Sequence, residues 1–166
     1  MALNAYLSLK GQKQGAIKGA VTQKGREGKI MVIAVSHEIV SPRDPQSGLP
    51  TGKRQHEPFV ITKELDKSSP ILYSVLCTNE NITEFELQFF AQKAAAGGSG
   101  VEVNNYTVKL TNASIVDIRF TMANNKNPEL VKFAEYEEVA FTYQKITWTW
   151  VDGGITASED WQTPVS

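Results

Sequence analysis

Two histidines, one cysteine and a short acidic–basic turn are where chemistry would have to reside in this chain. His37-Glu38 opens like the histidine–glutamate pair of a zinc-protease helix, but that site needs a second histidine four positions on, and Ser41 stands there in a strand-like stretch. The zinc reading fails. His56 lies between Arg54 and Glu57 at the end of a loop, with no partner to position it as a general base, so it reads as a solvated or interface side chain. Cys77 has neither local positive charge nor a glycine-rich pocket to activate it, and reads as a buried or half-buried structural thiol. Asp66-Lys67 could act as a pair, yet an exposed turn leading into a helix explains both. Gly97-Gly98-Ser99-Gly100 lacks the lysine and the strand–helix context of a phosphate loop. The N-x-[ST] triplets at Asn81, Asn105 and Asn112 are of a kind that arises by chance in an Asn/Thr-rich chain. Trp148 and Trp150 could offer stacking faces to a sugar, but at period two they more simply cover one face of a terminal strand. No catalytic, metal or cofactor-binding set emerges, and no cofactor is expected.

The elements that would have to position any site are mostly strands. Leu3, Ala5, Leu7 and Leu9 alternate with polar residues and Tyr6, which buries one face of a first strand. Gly11–Gly28 reads as turns around a short strand near 17–22. Ile30–Val40 is apolar on both faces, as expected of a single strand covered on both sides by core or by a neighbouring subunit. Ser41–His56 carries Pro42, Asp44-Pro45, Gly48, Pro50 and Gly52 and is longer than most strand connections, a length commonly functional. Phe59–Leu65 is the next strand. Phe85, Leu87 and Phe89 alternate with polar residues, and residues 94–100 form a hairpin tip. From Tyr106 to Met122 one parity is apolar, either a long bent strand or two strands in line. Residues 124–130 form a loop, with room for a helical turn after Pro128. Val139, Phe141 and Tyr143 then hand over to Ile146, Trp148 and Trp150, a parity switch that a β-bulge produces.

One helix interrupts the strands. Ser68-Ser69-Pro70 is a helix start, with proline at a position needing no N–H and a serine oxygen free to accept one from the first turn. Ile71, Leu72, Val75 and Leu76 then form an apolar stripe over about residues 69–78. The expected architecture is mainly β, an antiparallel barrel or two-sheet sandwich with one short flanking helix, the 166 residues forming a single domain.

Bulk composition narrows the function classes. The formal net charge is −1 and basic residues are dispersed, against a phosphate-binding footprint and hence against nucleic acid. No apolar run approaches a membrane span, so insertion in a membrane is not expected. Met1–Lys10 has no charged leader or unbroken apolar core, so synthesis in the cytoplasm without a cleaved signal is expected. Two-faced apolar strands and an oversized polar loop point to a protein that works through its surfaces.

Several stretches, in order along nearly the whole chain, resemble the haemolysin co-regulated protein (Hcp) family of bacterial type VI secretion systems. They are Asp44-Pro45-Gln46-Ser47-Gly48 with Gly52–Pro58 in the loop, and Thr62-Lys63 with Asp66-Lys67-Ser68-Ser69-Pro70 and Leu72 before and in the helix. Tyr106–Val108, Leu110–Ala113 and Ile115–Ile118, then Phe141–Ile146 with Trp148, and Asp160-Trp161, complete the set. Lys24–Val35 departs, being shorter and poorer in glycine and histidine. The resemblance implies a β-barrel protomer that forms hexameric rings with a wide channel. Rings stack into a tube, which a contractile sheath expels into the medium or a target cell with a spike protein at its tip, sometimes with effector proteins in the lumen. It implies no catalysis. Lys63, Asp66, Lys67, Ser69 and Pro70 form the helix-start motif. Asp44, Gln46, Ser47, Lys53, Arg54 and His56 are the expected ring-stacking or neighbour contacts. The alternative from another class is a carbohydrate- or ligand-binding β-sandwich that stacks its ligand on Trp148, Trp150 or Trp161.

Overall fold

The computed structural model describes residues 1–162. In chain order the strands before the helix are β1 (Ala5–Gly11), β2 (Gly15–Ile17), β3 (Ile30–Val32), β4 (Ala34–Ser36), β5 (Ile39–Val40), β6 (Gln55–His56) and β7 (Phe59–Glu64). Helix α1 (Ser69–Cys77) follows, then β8 (Ile82–Ala94), β9 (Gly100–Thr111), β10 (Ser114–Thr121), β11 (Tyr136–Thr142), β12 (Lys145–Trp150) and β13 (Ile155–Asp160). One sheet runs β13-β12-β9-β8-β1-β2, with β3 also on β1; a second runs β10-β11-β7-β4; β5 and β6 pair alone. The sheets are antiparallel and do not close, so of barrel and sandwich the fold is the sandwich.

Alternation builds the core. Leu7, Leu87 and Val108 stand opposite one another across β1, β8 and β9, as do Leu9, Phe85 and Leu110 in the next row. These side chains face Ile61, Val139 and Phe141 of the smaller sheet, and Leu72 and Val75 of α1 add to the cluster. Phe85 meets Phe59 and Phe141 edge-on, with ring centroids 5.6 and 4.9 Å apart, the geometry that ring quadrupoles favour. On the solvent face of the same strands Lys10 pairs with Glu84 and Lys109 with Glu86.

The second face of β1 is also partly covered. Tyr6, grouped with the outward residues by alternation, is 8% exposed because the Arg26 guanidinium lies 4.7 Å from its ring and 3.7 Å from that of Phe90. Glu102 neutralises Arg26 at 2.8 Å. The turn that delivers Arg26 passes so close that a Cβ on Gly19 would sit 2.5 Å from the Lys29 carbonyl oxygen. The predicted short strand in this region lies earlier, at Gly15–Ile17.

Where sequence periodicity misleads, the chain changes sheet. Ile30–Val40 is not one strand: β3 joins the large sheet, β4 the small one and β5 the separate pair, and Ile33 and Val35 are exposed. The Tyr106–Met122 run is two strands in different sheets, broken at Asn112 in a left-handed conformation (φ 49°), with a register shift between Ile115 and Asp117. The switch between Tyr143 and Ile146 is the return from β11 to β12 in the large sheet, not a bulge within a strand. A crossover reverses which parity meets the core, and one-dimensional alternation cannot tell it from a bulge.

Helix α1 carries the expected stripe, with Leu72 and Val75 buried and Ile71 and Leu76 packed on the core. Its start differs from expectation. Ser68 is the cap residue but makes no side-chain capping bond; instead Asp66 Oδ1 accepts the Ser68 N–H at 2.9 Å, and also its hydroxyl. Ser69 Oγ accepts the Asp66 N–H at 3.2 Å. Asp66 is therefore drawn in rather than exposed, whereas Lys67 and Pro70 face solvent. Cys77 is exposed, because it falls one residue past the buried stripe.

Candidate assembly surfaces and the arm anchor

The polar segment between β5 and β6 is an organised arm. Asp44 nucleates its tip: its carboxylate accepts the N–H groups of Gln46 (2.7 Å) and Ser47 (3.4 Å), and its carbonyl accepts that of Gly48. Arg43 bridges to Pro50 through a β-contact and donates to the Gly48 carbonyl. Those N–H bonds hold the Asp44 carboxyl below its ordinary range. Gln46, Ser47 and Lys53 are exposed on this arm.

The arm's base is tied to the body by a buried cluster. His37, just before β5, and His56, in β6, both reach the hydroxyl of Tyr143, His37 through Nε2 at 2.8 Å and His56 through Nδ1 at 2.7 Å. Tyr143 is 4% exposed and burial pushes its hydroxyl up to about 12. Burial, followed by the charge of Arg54, lowers His56; burial, followed by His56, lowers His37. Arg54 bonds Glu159 through Nε and donates to the Asp160 carbonyl at 3.0 Å, which pins the arm to β13. Trp161 donates its indole N–H to the Tyr143 carbonyl and lies beside the His56 ring.

This corrects one expectation. The His56 side chain is 3% exposed, so it is not solvated, and it and Arg54 already make contacts inside the subunit. The other expected contacts divide: Asp44 shapes the arm tip, while Gln46, Ser47 and Lys53 stay on the surface. The expected helix-start motif is brought together only in part. Lys63 is fully buried, with Nζ 3.1 Å from both Ser69 Oγ and Asp66 Oδ1, 3.0 Å from the Glu64 carbonyl and 3.6 Å from buried Glu137. Sequence reasoning missed Glu137 and Glu159, and it missed the roles of His37, weighed only as a zinc ligand, and Tyr143, noted only where the parity switches. Trp148 is partly buried against the core, and Trp150 remains exposed. Among the described residues no three His, Cys, Asp or Glu side chains gather as a metal site.

A second feature lies on the smaller sheet. Its edge strands are β10 and β4, and exposed apolar side chains accompany them: Val116, Phe120 and Met122 on or just past β10, Val35 on β4. Ile33, Leu130 and Phe133 line, with Thr62, Ala123 and Tyr136, a groove of about 290 Å³. Open strand edges flanked by exposed apolar groups are surfaces that another chain can cover.

Comparison with known proteins decides the family. A family model described as "Type VI secretion system effector, Hcp" matches residues 6–150. The chain belongs to the Hcp family. The "Major exported protein" of Pseudomonas aeruginosa is 45% identical over 175 aligned positions, covering 100% of this chain and 99% of that protein. A crystal structure of an Hcp protein superimposes with a TM-score of 0.86 at 33% identity, covering 97% of this chain and 99% of that one. A variant of the Hcp1 protein of E. coli EAEC 042 gives 0.80 at 37% identity, covering 96% and 99%. Hcp is a secreted type VI family and not a known enzyme family.

Proposed function

We propose that this Hcp chain is the tube subunit of a type VI secretion system. In this reading six copies of the domain close into a ring and rings stack into a tube; a contractile sheath expels the tube behind a spike protein. The chain is exported, as the name of its Pseudomonas aeruginosa relative says of that protein, and accommodates small effectors in the lumen. The observation that carries the reading is the set of apolar side chains along the open edges of the smaller sheet, in a chain of this family. A cyclic assembly joins two complementary patches per subunit and closes when their rotation does. The exposed arm residues Gln46, Ser47 and Lys53 supply contacts between rings; Arg54 and His56 support them from beneath.

Negative-stain microscopy and native mass of the purified protein test this together. Annular particles of six subunits are expected, and a folded monomer at all concentrations overturns the reading. Deleting residues 44–52 is expected to leave rings intact and abolish stacking. If rings disappear as well, the arm has been assigned to the wrong contact.

A further inference from the structure

The Tyr143 hydroxyl carries a single hydrogen, yet two imidazole nitrogens approach it within 2.8 Å. With both rings neutral the bookkeeping closes: one ring donates its N–H to the phenolic oxygen and the other accepts the phenolic hydrogen. Adding a proton to the accepting ring makes both rings donors, and the phenolic hydrogen loses its acceptor. One imidazolium ion then stands beside a second donor in a partly buried site.

The surroundings do not compensate for that charge. From the arm, Arg54 adds a second positive group. From β13, Glu159 lies 3.9 Å from His56 Nε2 but already pairs with Arg54. The Asp160 carboxylate accepts from Gln144 and its carbonyl from Arg54. Glu38 and Glu57, which flank the histidines, are exposed. On the other side of His37 stands the ring of Phe59, 5.1 Å away. Two cations against one nearby carboxylate, with the phenolic hydrogen left without an acceptor, favour opening of the site.

We propose that the His37–Tyr143–His56 cluster is an acid-sensitive latch that holds the base of the 41–54 arm to the body at neutral pH and loosens that hold in acid. The lowered affinity of both rings for protons agrees in sign. A histidine held neutral in the latched state stabilises it above its ordinary value of 6.5, and this stabilisation is lost as pH falls below that value towards the lowered one. For a histidine that stays neutral while latched, release at pH 5.5 is favoured at most ~10-fold over neutral pH, from the one-unit gap to 6.5. In stacked rings the freed arm loosens ring–ring contacts, a consequence that rests on the tube reading above; the latch itself does not.

The test is amide hydrogen exchange of residues 38–57 at pH 7.5 and 5.5, corrected for intrinsic rates, with native mass recorded on the same samples. Expected is a rise of about tenfold in arm exchange at pH 5.5, with β8 and β9 amides unchanged. His37→Gln with His56→Asn, which place neutral amides near the bonding nitrogens, should abolish the pH dependence while keeping the arm protected. Tyr143→Phe, a milder change, should free the arm already at pH 7.5 and flatten its response. A wild-type change under twofold, parallel loss in β8 and β9, or an undiminished response in either variant overturns the latch. Because exchange is read within a subunit, a monomeric mass refutes the ring and leaves the latch standing, and the reverse holds as well.

Discussion

Replacing Lys63 with Met should be among the most damaging single changes in the β7–α1 region. Lys63 and Glu137 stand opposite each other on β7 and β11, both fully buried and 3.6 Å apart. Their situations are unequal. Lys63 also reaches Asp66, Ser69 and the Glu64 carbonyl, whereas neither carboxylate oxygen of Glu137 has a hydrogen-bond partner. Removing Lys63 leaves a buried carboxylate without its cation, which costs about 3–5 kcal/mol. That is a large part of the ~5–15 kcal/mol that holds a domain folded. At ~2–4 °C per kcal/mol for a chain of this size, the melting midpoint should fall by roughly 6–20 °C. Glu137→Gln removes only the most distant of four contacts to Lys63 and should cost less than ~2 kcal/mol. The double change Lys63→Met with Glu137→Leu removes both charges and should recover at least half of the single Lys63 loss. Urea denaturation of these variants as isolated subunits, with Glu137→Leu alone to close the double-mutant cycle, measures all these terms. Were Glu137→Gln as costly as Lys63→Met, or the double variant as costly as the two singles summed, the inequality drawn from the partners would be refuted.

Other expectations follow from particular contacts. Arg26→Ala uncovers the faces of Tyr6 and Phe90 and leaves Glu102 without its partner; a loss of ~1–3 kcal/mol in urea midpoint analysis is expected. Gly19→Ala would drive a methyl into the Lys29 carbonyl and the Ile30 Cα, backbone atoms that cannot swing aside; it should cost ~1–3 kcal/mol and raise exchange through residues 19–29. Phe120→Glu changes a half-exposed side chain on an edge strand. It should leave subunit stability within ~0.5 kcal/mol yet lower the native mass from ring to monomer; rings of wild-type abundance would move the subunit contact elsewhere.

Local periodicity was enough for much of the fold. The alternation at Leu7 and Leu9, the polar–apolar rhythm of Phe85–Phe89, the hairpin tip before Gly100 and the Leu72–Val75 stripe are all in place. The same rhythm failed at Ile33, Asn112 and Tyr143, where the chain passes from one sheet to the other. At those points the face that meets the core changes for a reason that lies in the partner sheet, not in neighbouring residues. Burial of polar groups failed in the same way. Asp66 read as exposed turn chemistry and Lys63 only as part of the helix-start motif, and only the arrival of β11 with Glu137 encloses Lys63.

What the amino-acid order determined alone is everything that depends on residues within a few positions of each other: strand and helix periods, the turn-formers of the 41–56 loop, the proline-led helix start and the family resemblance. The latch belonged to the tertiary structure. His37 and His56 lie 106 and 87 residues from Tyr143, and neither sequence distance nor residue type says that one hydroxyl will meet both. That meeting exists because β11 leaves one sheet for the other at Tyr143, beneath the base of an arm closed by β5 and β6. Long-range placement of this kind comes from the packing of whole sheets, in which each residue contributes little and no local signal survives.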